Sequence, residues 1–493
     1  MEEQGIQKIL EIGVLLSAQR DINRLLEQIL ACVMELAHCD GGTLYLLDQD
    51  TLRFKIMHNN TLGKYSGGDG ESPDLPPVSL TQKNVCALSL LENRAIRIDD
   101  VYNCPEHDFS GPKEYDARTG YHTKSMLVVP MRNRKGESLG VLQLINALDE
   151  EGHICPFSQE MTLVLESVAS QAAITIQNVR YLYDIRELFS SFVRVMSTAI
   201  DQLTPYNASH SRRMALCGER FLDYLNEHLE EKERFSAARK EELLMSIWLH
   251  DIGKLITPLS VMNKSERLLP EQKTAFAHRM EIIRLRAQID CLKGKLSQAQ
   301  LEQLTAKTHE AESLVKEISN ASRPLSDSQL DAVCRLARQT YRDTDNVSRP
   351  WLEPEEQAML SIRRGTLSQE ERRIMNAHVT LTDSLLSQIH FTKEFSHVRQ
   401  WAASHHELLD GSGYPQGLCR EAIPREVRII TILDVFDALV ADDRPYKPGM
   451  PIPKALSILA DDAAKGKLDP WLTKQFAESR CWEKIYPAFT EKL

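Results

Sequence analysis

The sequence has no run of about 18 uninterrupted apolar residues, the length a helix needs to cross a bilayer. Its opening stretch, MEEQGIQKIL, lacks the basic, apolar, then small-residue order of a secretory leader. The expectation is a cytoplasmic protein without a membrane span. No Cys-x-x-Cys pair occurs among the ten cysteines (residues 32, 39, 86, 104, 155, 217, 291, 334, 419 and 481), so they read as reduced thiols, mostly buried. Basic residues are outnumbered, 59 against 70, and the net charge of −11 argues against nucleic acid as a partner. An anionic substrate would need a local cationic or metal-bearing site. With 42% hydrophobic and 26% charged residues over 493 positions, the chain has the makeup of a soluble protein of two or three domains.

Apolar residues recur at helical spacing through Ile22, Leu25, Leu26, Ile29, Leu30, Val33 and Met34, ahead of strand-like runs at 42–48 and 53–59. After the Gly/Pro-rich loop 66–77, two more strand-like runs, 124–133 and 138–147, flank a turn at Arg134, Lys135 and Gly136. This predicts an α+β domain with an antiparallel sheet and flanking helices. From the helix cap Ser158 to about Ala199 there is no Pro or Gly, which predicts one linker helix over 158–200. Its stripe of Leu165, Val168, Ala172, Ile176, Val179 and Tyr183 fits two readings, a face packed on its own sheet or a parallel dimer seam between two copies. Beyond residue 185 strand signals almost vanish, and an all-α half is expected. A charged, glycine-poor segment over 265–365 reads as an inserted helical hairpin, with stripes at Leu285, Ile289, Leu292 and Leu296 and at Ala311, Leu314 and Ile318.

Five of the fifteen histidines form an ordered series: His210, His250, His378, His405 and His406. His250 and Asp251 end an apolar helix just before Gly253, and Asp434 sits in the apolar run ITILDVFDAL. A lone histidine on such a helix is usually a hydrogen-bonded core residue. The set is different, because buried imidazoles and carboxylates in this number require metal ions or dense pairing. The donors suit iron, manganese or zinc and suffice for two ions.

The segments His250–Asp251–Ile252–Gly253–Lys254 and His405–His406–Glu407–Leu408–Leu409–Asp410–Gly411–Ser412–Gly413–Tyr414–Pro415 resemble the HD-GYP family of bacterial cyclic di-GMP phosphodiesterases. The resemblance covers about residues 185–480 and implies an all-α HD-type phosphohydrolase domain. It implies two divalent ions, iron or manganese, bridged by Asp251 and held with His210, His250, His378, His405, His406 and Asp434. Lys254 is implied near the scissile phosphate, with Arg444 and Lys447 gripping phosphate oxygens, although Lys447 alone reads equally well as a surface cation. Glu407, Asp410, Gly411 and Gly413 are expected to shape and brace the motif loop, with the carboxylates able to orient imidazoles. Tyr414 and Pro415 belong to the same loop or to a docking surface for a diguanylate cyclase of the GGDEF type. Some members use a glutamate one turn before the first histidine for a third ion; Tyr206 stands there, which points to two.

Residues 5–180 resemble a GAF sensor domain, chiefly through 119–147 and the helix that follows. The cyclic-nucleotide signature of such domains is incomplete: Asn146 and Phe157 are present, but Ala147 follows the asparagine, and no Asp-Glu pair follows Phe157. The ligand is therefore unassigned, and a purely dimerising domain stays open. The expected activity is hydrolysis of cyclic di-GMP to pGpG, GMP or both by a homodimer under control of the GAF domain. The alternatives are phosphohydrolysis of another nucleotide and an inert scaffold that binds diguanylate cyclases.

Overall fold

The computed structural model describes residues 21–203, 209–321, 323–343, 345–441 and 449–486, and the chain divides into two compact units, Met1–Phe189 and Ser190–Leu493. In the first, helix α1 (Ile22–Ala37) starts where the Asp21 carboxylate accepts the amides of Asn23 and Arg24. It stops at His38, whose φ of 46° is left-handed. Strands β1 (Cys39–Asp48), β2 (Thr51–Asn59), β3 (Lys64–Gly67), β5 (Ile96–Ile98), β6 (Met126–Arg132) and β7 (Ser138–Leu148) lie in the order β3-β2-β1-β7-β6-β5. The short β4 (Val78–Ser79) and β8 (Ile154–Cys155) pair with β2 and β7, and all pairings are antiparallel.

The two middle strands are covered on both faces, so they read as nearly continuous apolar runs. One face packs Leu44, Leu142 and Leu144 against α1; helix α2 (Val85–Glu92) shares the other core with Val128 and Val141. Helix α3 (Ser110–Thr119) follows β5. Asn146 supplies its side chain to the Lys124 amide, the His122 carbonyl and the Tyr121 hydroxyl, an internal brace at the end of β7.

Helix α4 (Gln159–Asp201) begins at Ser158, whose hydroxyl accepts the Met161 amide. Of the two readings of its stripe, packing on the sheet holds for Leu165, Val168, Ala172 and Ile176, which are buried in the first unit's core. Tyr183 departs from that stripe and is 68% exposed. A different set, Tyr181, Ile185, Leu188, Phe192 and Val195, is exposed at four- and three-residue steps.

The second unit is built from helices α5 (His210–His228), α6 (Ala237–Leu249), α7 (Pro270–Leu292), α8 (Gln298–Ser319), α9 (Asp327–Ala337), α10 (Pro354–Leu360), α11 (Gln369–Asn376), α12 (His378–Leu386), α13 (Val398–Ala402), α14 (Arg425–Val440), α15 (Ile452–Ala464) and α16 (Pro470–Ser479). Phe221, Leu225, Ile247, Leu433, Phe436 and Phe476 lie in its main core. Within 265–365 the hairpin of α7 and α8 is present. It is joined by α9, α10 and a small hairpin of Thr340–Arg342 with Ser348–Pro350, around a separate core that includes Met280, Val315, Val333 and Trp351. One stripe needs correction: α7 buries Phe276, Met280, Ile283 and Ala287, whereas Leu285 and Ile289 are exposed and Leu292 is 88% exposed. Both sets step by four and three, so spacing alone did not separate them. The third dimension adds the buried Arg279–Glu356 ion pair, which fixes the inward face.

Candidate metal centre

Five segments of the second unit bring the series together. His210 opens α5, where the buried Asp201 carboxylate accepts both the amide and the hydroxyl of Ser211. His250 and Asp251 end α6 and lead into a tight turn, Ile252–Ile256. Gly253 is required there: a Cβ would lie 1.9 Å from the His378 carbonyl oxygen and 2.6 Å from the Thr382 amide. This close approach sets the turn against α12, which carries His378. Thr382 completes the join, accepting from the Gly253 amide and donating to the His250 carbonyl. His405 and His406 follow α13, and Thr431 of α14 donates to the His405 carbonyl, so the helix of Asp434 is fastened to the histidine pair.

The imidazoles are oriented by a repeated device. In His250, His378 and His405 the Nδ1 atom meets the carbonyl three residues earlier, Ile247 at 2.7 Å, Met375 at 2.6 Å and Ala402 at 2.7 Å. A carbonyl only accepts, so each Nδ1 carries the proton and each Nε2 presents its lone pair. His210 follows the same logic with Asp437, 2.7 Å from its Nδ1. The Nε2 atoms of His210 and His250 face each other at 3.2 Å, while Nε2 of His378 and His405 is buried without a hydrogen-bond partner. Orphaned lone pairs in a buried space are costly unless a cation sits among them.

The donors form two triads, His210–His250–Asp251 and His378–His405–His406, each with its ligand atoms within 4.8 Å of one another. Two carboxylates span them. Asp251 turns Oδ2 to His250 and His210 (3.3 and 3.7 Å) and Oδ1 to His378 (3.5 Å). Asp434 turns Oδ1 to His210 (3.4 Å) and Oδ2 to His406 (3.6 Å).

Burial holds the His378 imidazole down at about 4, and pushes His405 and His406 below the usual value, so all three are neutral imidazoles at physiological pH. For His210 burial disfavours the charged form, but the Asp434 and Asp437 carboxylates outweigh it and lift the group to about 10. Burial likewise opposes ionisation of Asp251, yet Lys254 and the neighbouring imidazoles hold its carboxyl well below the usual range. Neutral imidazoles at His378, His405 and His406 beside ionised carboxylates fit divalent metal ions, whose positive charge would take the place of the proton that the carboxylates favour on His210.

Lys254 lies at the centre, its Nζ 2.5 Å from Asp251 Oδ2. Glu407 and Asp410 bind the motif loop rather than imidazoles: Glu407 accepts the Gln416 and Leu418 amides, and Asp410 accepts the amide and hydroxyl of Ser412. Gly411 has φ of 78°, and a Cβ on Gly413 would lie 2.3 Å from the Leu408 amide, so the loop folds tightly back on itself. The Tyr414 ring lies tilted against the His406 ring, centroids 4.8 Å apart, and Tyr414 precedes Pro415 through a cis bond. Arg444, Lys447 and Tyr206 lie outside the described residues.

Sequence reasoning missed the support beneath His210. Asp437 accepts Arg213 through Nε (2.7 Å) and a terminal nitrogen (2.9 Å), and also accepts the Tyr486 hydroxyl. The available signals were the position of Asp437 one turn beyond Asp434 and of Arg213 one turn beyond His210.

The GAF domain family matches residues 21–176, and the HD domain family matches residues 352–472. The chain carries a GAF domain and an HD domain. The HD match contains His378, His405, His406 and Asp434; His210, His250 and Asp251 precede it in the chain. A 3'3'-cGAMP-specific phosphodiesterase 3 of Vibrio cholerae is 42% identical over 98 residues, 20% of this chain and 20% of that protein. The cyclic di-GMP phosphodiesterase response regulator RpfG of Xanthomonas campestris is 42% identical over 112 residues, 22% of this chain and 28% of the relative. These matches therefore span well under a third of either relative's length. Among solved structures, the GAF domain of an Acinetobacter phosphoenolpyruvate-protein phosphotransferase aligns at 13% identity with a TM-score of 0.29, covering 37% of this chain and 99% of that one. No helix among the described residues is long and apolar enough to cross a membrane.

Proposed function

We propose that the chain is a metal-dependent phosphodiesterase that hydrolyses cyclic di-GMP to pGpG, GMP or both, under control of its GAF domain. The observation that supports the reading is the pair of donor triads, His210–His250–Asp251 and His378–His405–His406, linked through the carboxylates of Asp251 and Asp434. Two ions of iron or manganese would be held by His210, His250, His378, His405 and His406 with those carboxylates. When bound, such ions supply Lewis acidity toward phosphoryl oxygens and a water acidic enough to ionise near neutral pH.

The protein's own groups do the remaining work. The Nδ1 contacts orient the rings of His210, His250, His378 and His405, Thr382 and Thr431 fix the segments, and Glu407 holds the Gly-Tyr-Pro loop beside His406. Lys254 places a fixed positive charge beside Asp251, where it stabilises charge on the phosphoryl group and on the departing 3′ oxygen; the family resemblance implies the same role toward phosphate oxygens for Arg444 and Lys447. An inert scaffold has no need of a complete donor set, which weighs against that alternative. The exposed a/d-spaced side chains from Tyr181 to Val195 support a homodimer through the linker helix.

A second substrate reading, 3'3'-cGAMP, is favoured by the name of the Vibrio relative. The test is anaerobic incubation of the full chain with Fe(II) or Mn(II) and each cyclic dinucleotide, beside His250→Ala. Metal-dependent pGpG or GMP from cyclic di-GMP is expected; cleavage of 3'3'-cGAMP alone would transfer the assignment, and no cleavage of either would defeat it.

A further inference from the structure

Cys217 and Cys481 place their sulfurs 3.2 Å apart although 264 residues separate them in the chain. Both are free thiols and both are buried in the main core of the second unit. Cys217 stands on α5, one turn beyond Arg213 and two beyond His210. Cys481 lies five residues before Tyr486. Arg213 and Tyr486 are the side chains that join His210 in holding the Asp437 carboxylate. The two thiols therefore bring together the two elements that clamp Asp437.

We propose that Cys217 and Cys481 are a modification site, forming a reversible disulfide with peroxides or small disulfides that locks the clamp behind His210. The sulfurs need only about 1 Å of further approach to reach a bonded distance of about 2.05 Å. Cys481 is the residue that reacts first. It lies just past Arg480, a left-handed residue (φ 49°) that ends α16, and so stands outside a helix, whereas Cys217 is held within α5. Cys217, held in the core with its thiol pushed up by burial, is the resolving partner.

With hydrogen peroxide, the Cys481 thiolate attacks one oxygen and becomes a sulfenic acid as hydroxide leaves and takes up a proton. The Cys217 sulfur then attacks the sulfenic sulfur and displaces its oxygen as water. Two thiols lose two electrons and two protons, and one peroxide becomes two waters. With a small disulfide, exchange proceeds through a mixed disulfide and releases two small thiols. The cross-link closes a long loop, which restricts the unfolded chain, and it pins Arg213 and Tyr486 around Asp437.

The experiment treats the reduced, manganese-loaded full-length protein with hydrogen peroxide or oxidised glutathione and maps its linked peptides by mass spectrometry. A Cys217–Cys481 peptide, reversed by dithiothreitol and absent from Cys481→Ser and from Cys217→Ala, is expected, with a higher melting temperature in the oxidised wild type only. Ten thiols still titrating after treatment, or links confined to other cysteines, would overturn the site. The cross-link does not rest on the phosphodiesterase reading; its effect on metal retention rests only on the metal centre. Slower manganese release to a chelator is expected for the oxidised protein, and equal rates with the disulfide formed would overturn the coupling to Asp437 alone.

Discussion

Replacing Asp437 by Asn keeps the size of the side chain and removes its charge. Four donors converge on this buried carboxylate: His210 Nδ1, two nitrogens of Arg213 and the Tyr486 hydroxyl. An amide offers one oxygen, and its NH2 group faces whichever donors remain, so about two are orphaned. At about 1–3 kcal/mol for each, the loss is about 2–6 kcal/mol, a large part of a usual domain stability of about 5–15 kcal/mol. The imidazole also loses the acceptor that fixes its tautomer, so metal affinity should fall about 10- to 100-fold. Tyr486→Phe removes one donor only and should cost about 0.5–1.5 kcal/mol. Urea midpoints report the first effect, and competition with a metal chelator, at temperatures where each variant is folded, reports the second. If Asp437→Asn kept wild-type midpoint and metal affinity, the proposed support of His210 would be wrong.

Gly253→Ala forces backbone apart at the His378 carbonyl and should cost at least about 1–3 kcal/mol, read as a lower urea midpoint. Lys254→Met should lower turnover about 100- to 1,000-fold while metal content stays near wild type; unchanged turnover would remove Lys254 from the chemistry. In metal-free protein, His378 resists protonation down to about 4, whereas the unfolded chain takes up that proton below about 6.5, so this contribution is lost as pH falls through that window. His210 acts in the opposite sense: its contribution is full below about 6.5 and is lost as pH rises through about 10, so melting temperature should decline toward both ends. A melting temperature flat from pH 4 to 7 would contradict the His378 assignment.

The candidate donor cluster was legible because the chemistry demands particular side chains, and His250–Asp251 and His405–His406 stand together in the chain. Asp437 was less visible because it sits among apolar neighbours on α14, and its partners, Arg213 and Tyr486, are remote in sequence. Periodicity placed the long helix correctly, since a proline- and glycine-free stretch with regular apolar steps has few other folds. It failed to choose the inward face of α7, where two stripes share one spacing and only packing against α8 and α10 separates them. The loop carboxylates were similarly ambiguous: Glu407 and Asp410 have the chemistry to orient imidazoles, but the tight turns at Gly411 and Gly413 bring backbone amides to them first.

The most direct test of the central claim is the metal content of the full chain after anaerobic loading with Fe(II) or Mn(II), measured beside His405→Ala and His250→Ala. Two ions per chain in the wild type, with loss of metal in each variant, is the predicted result; a wild-type chain that binds no metal, or variants that retain both ions, would contradict it.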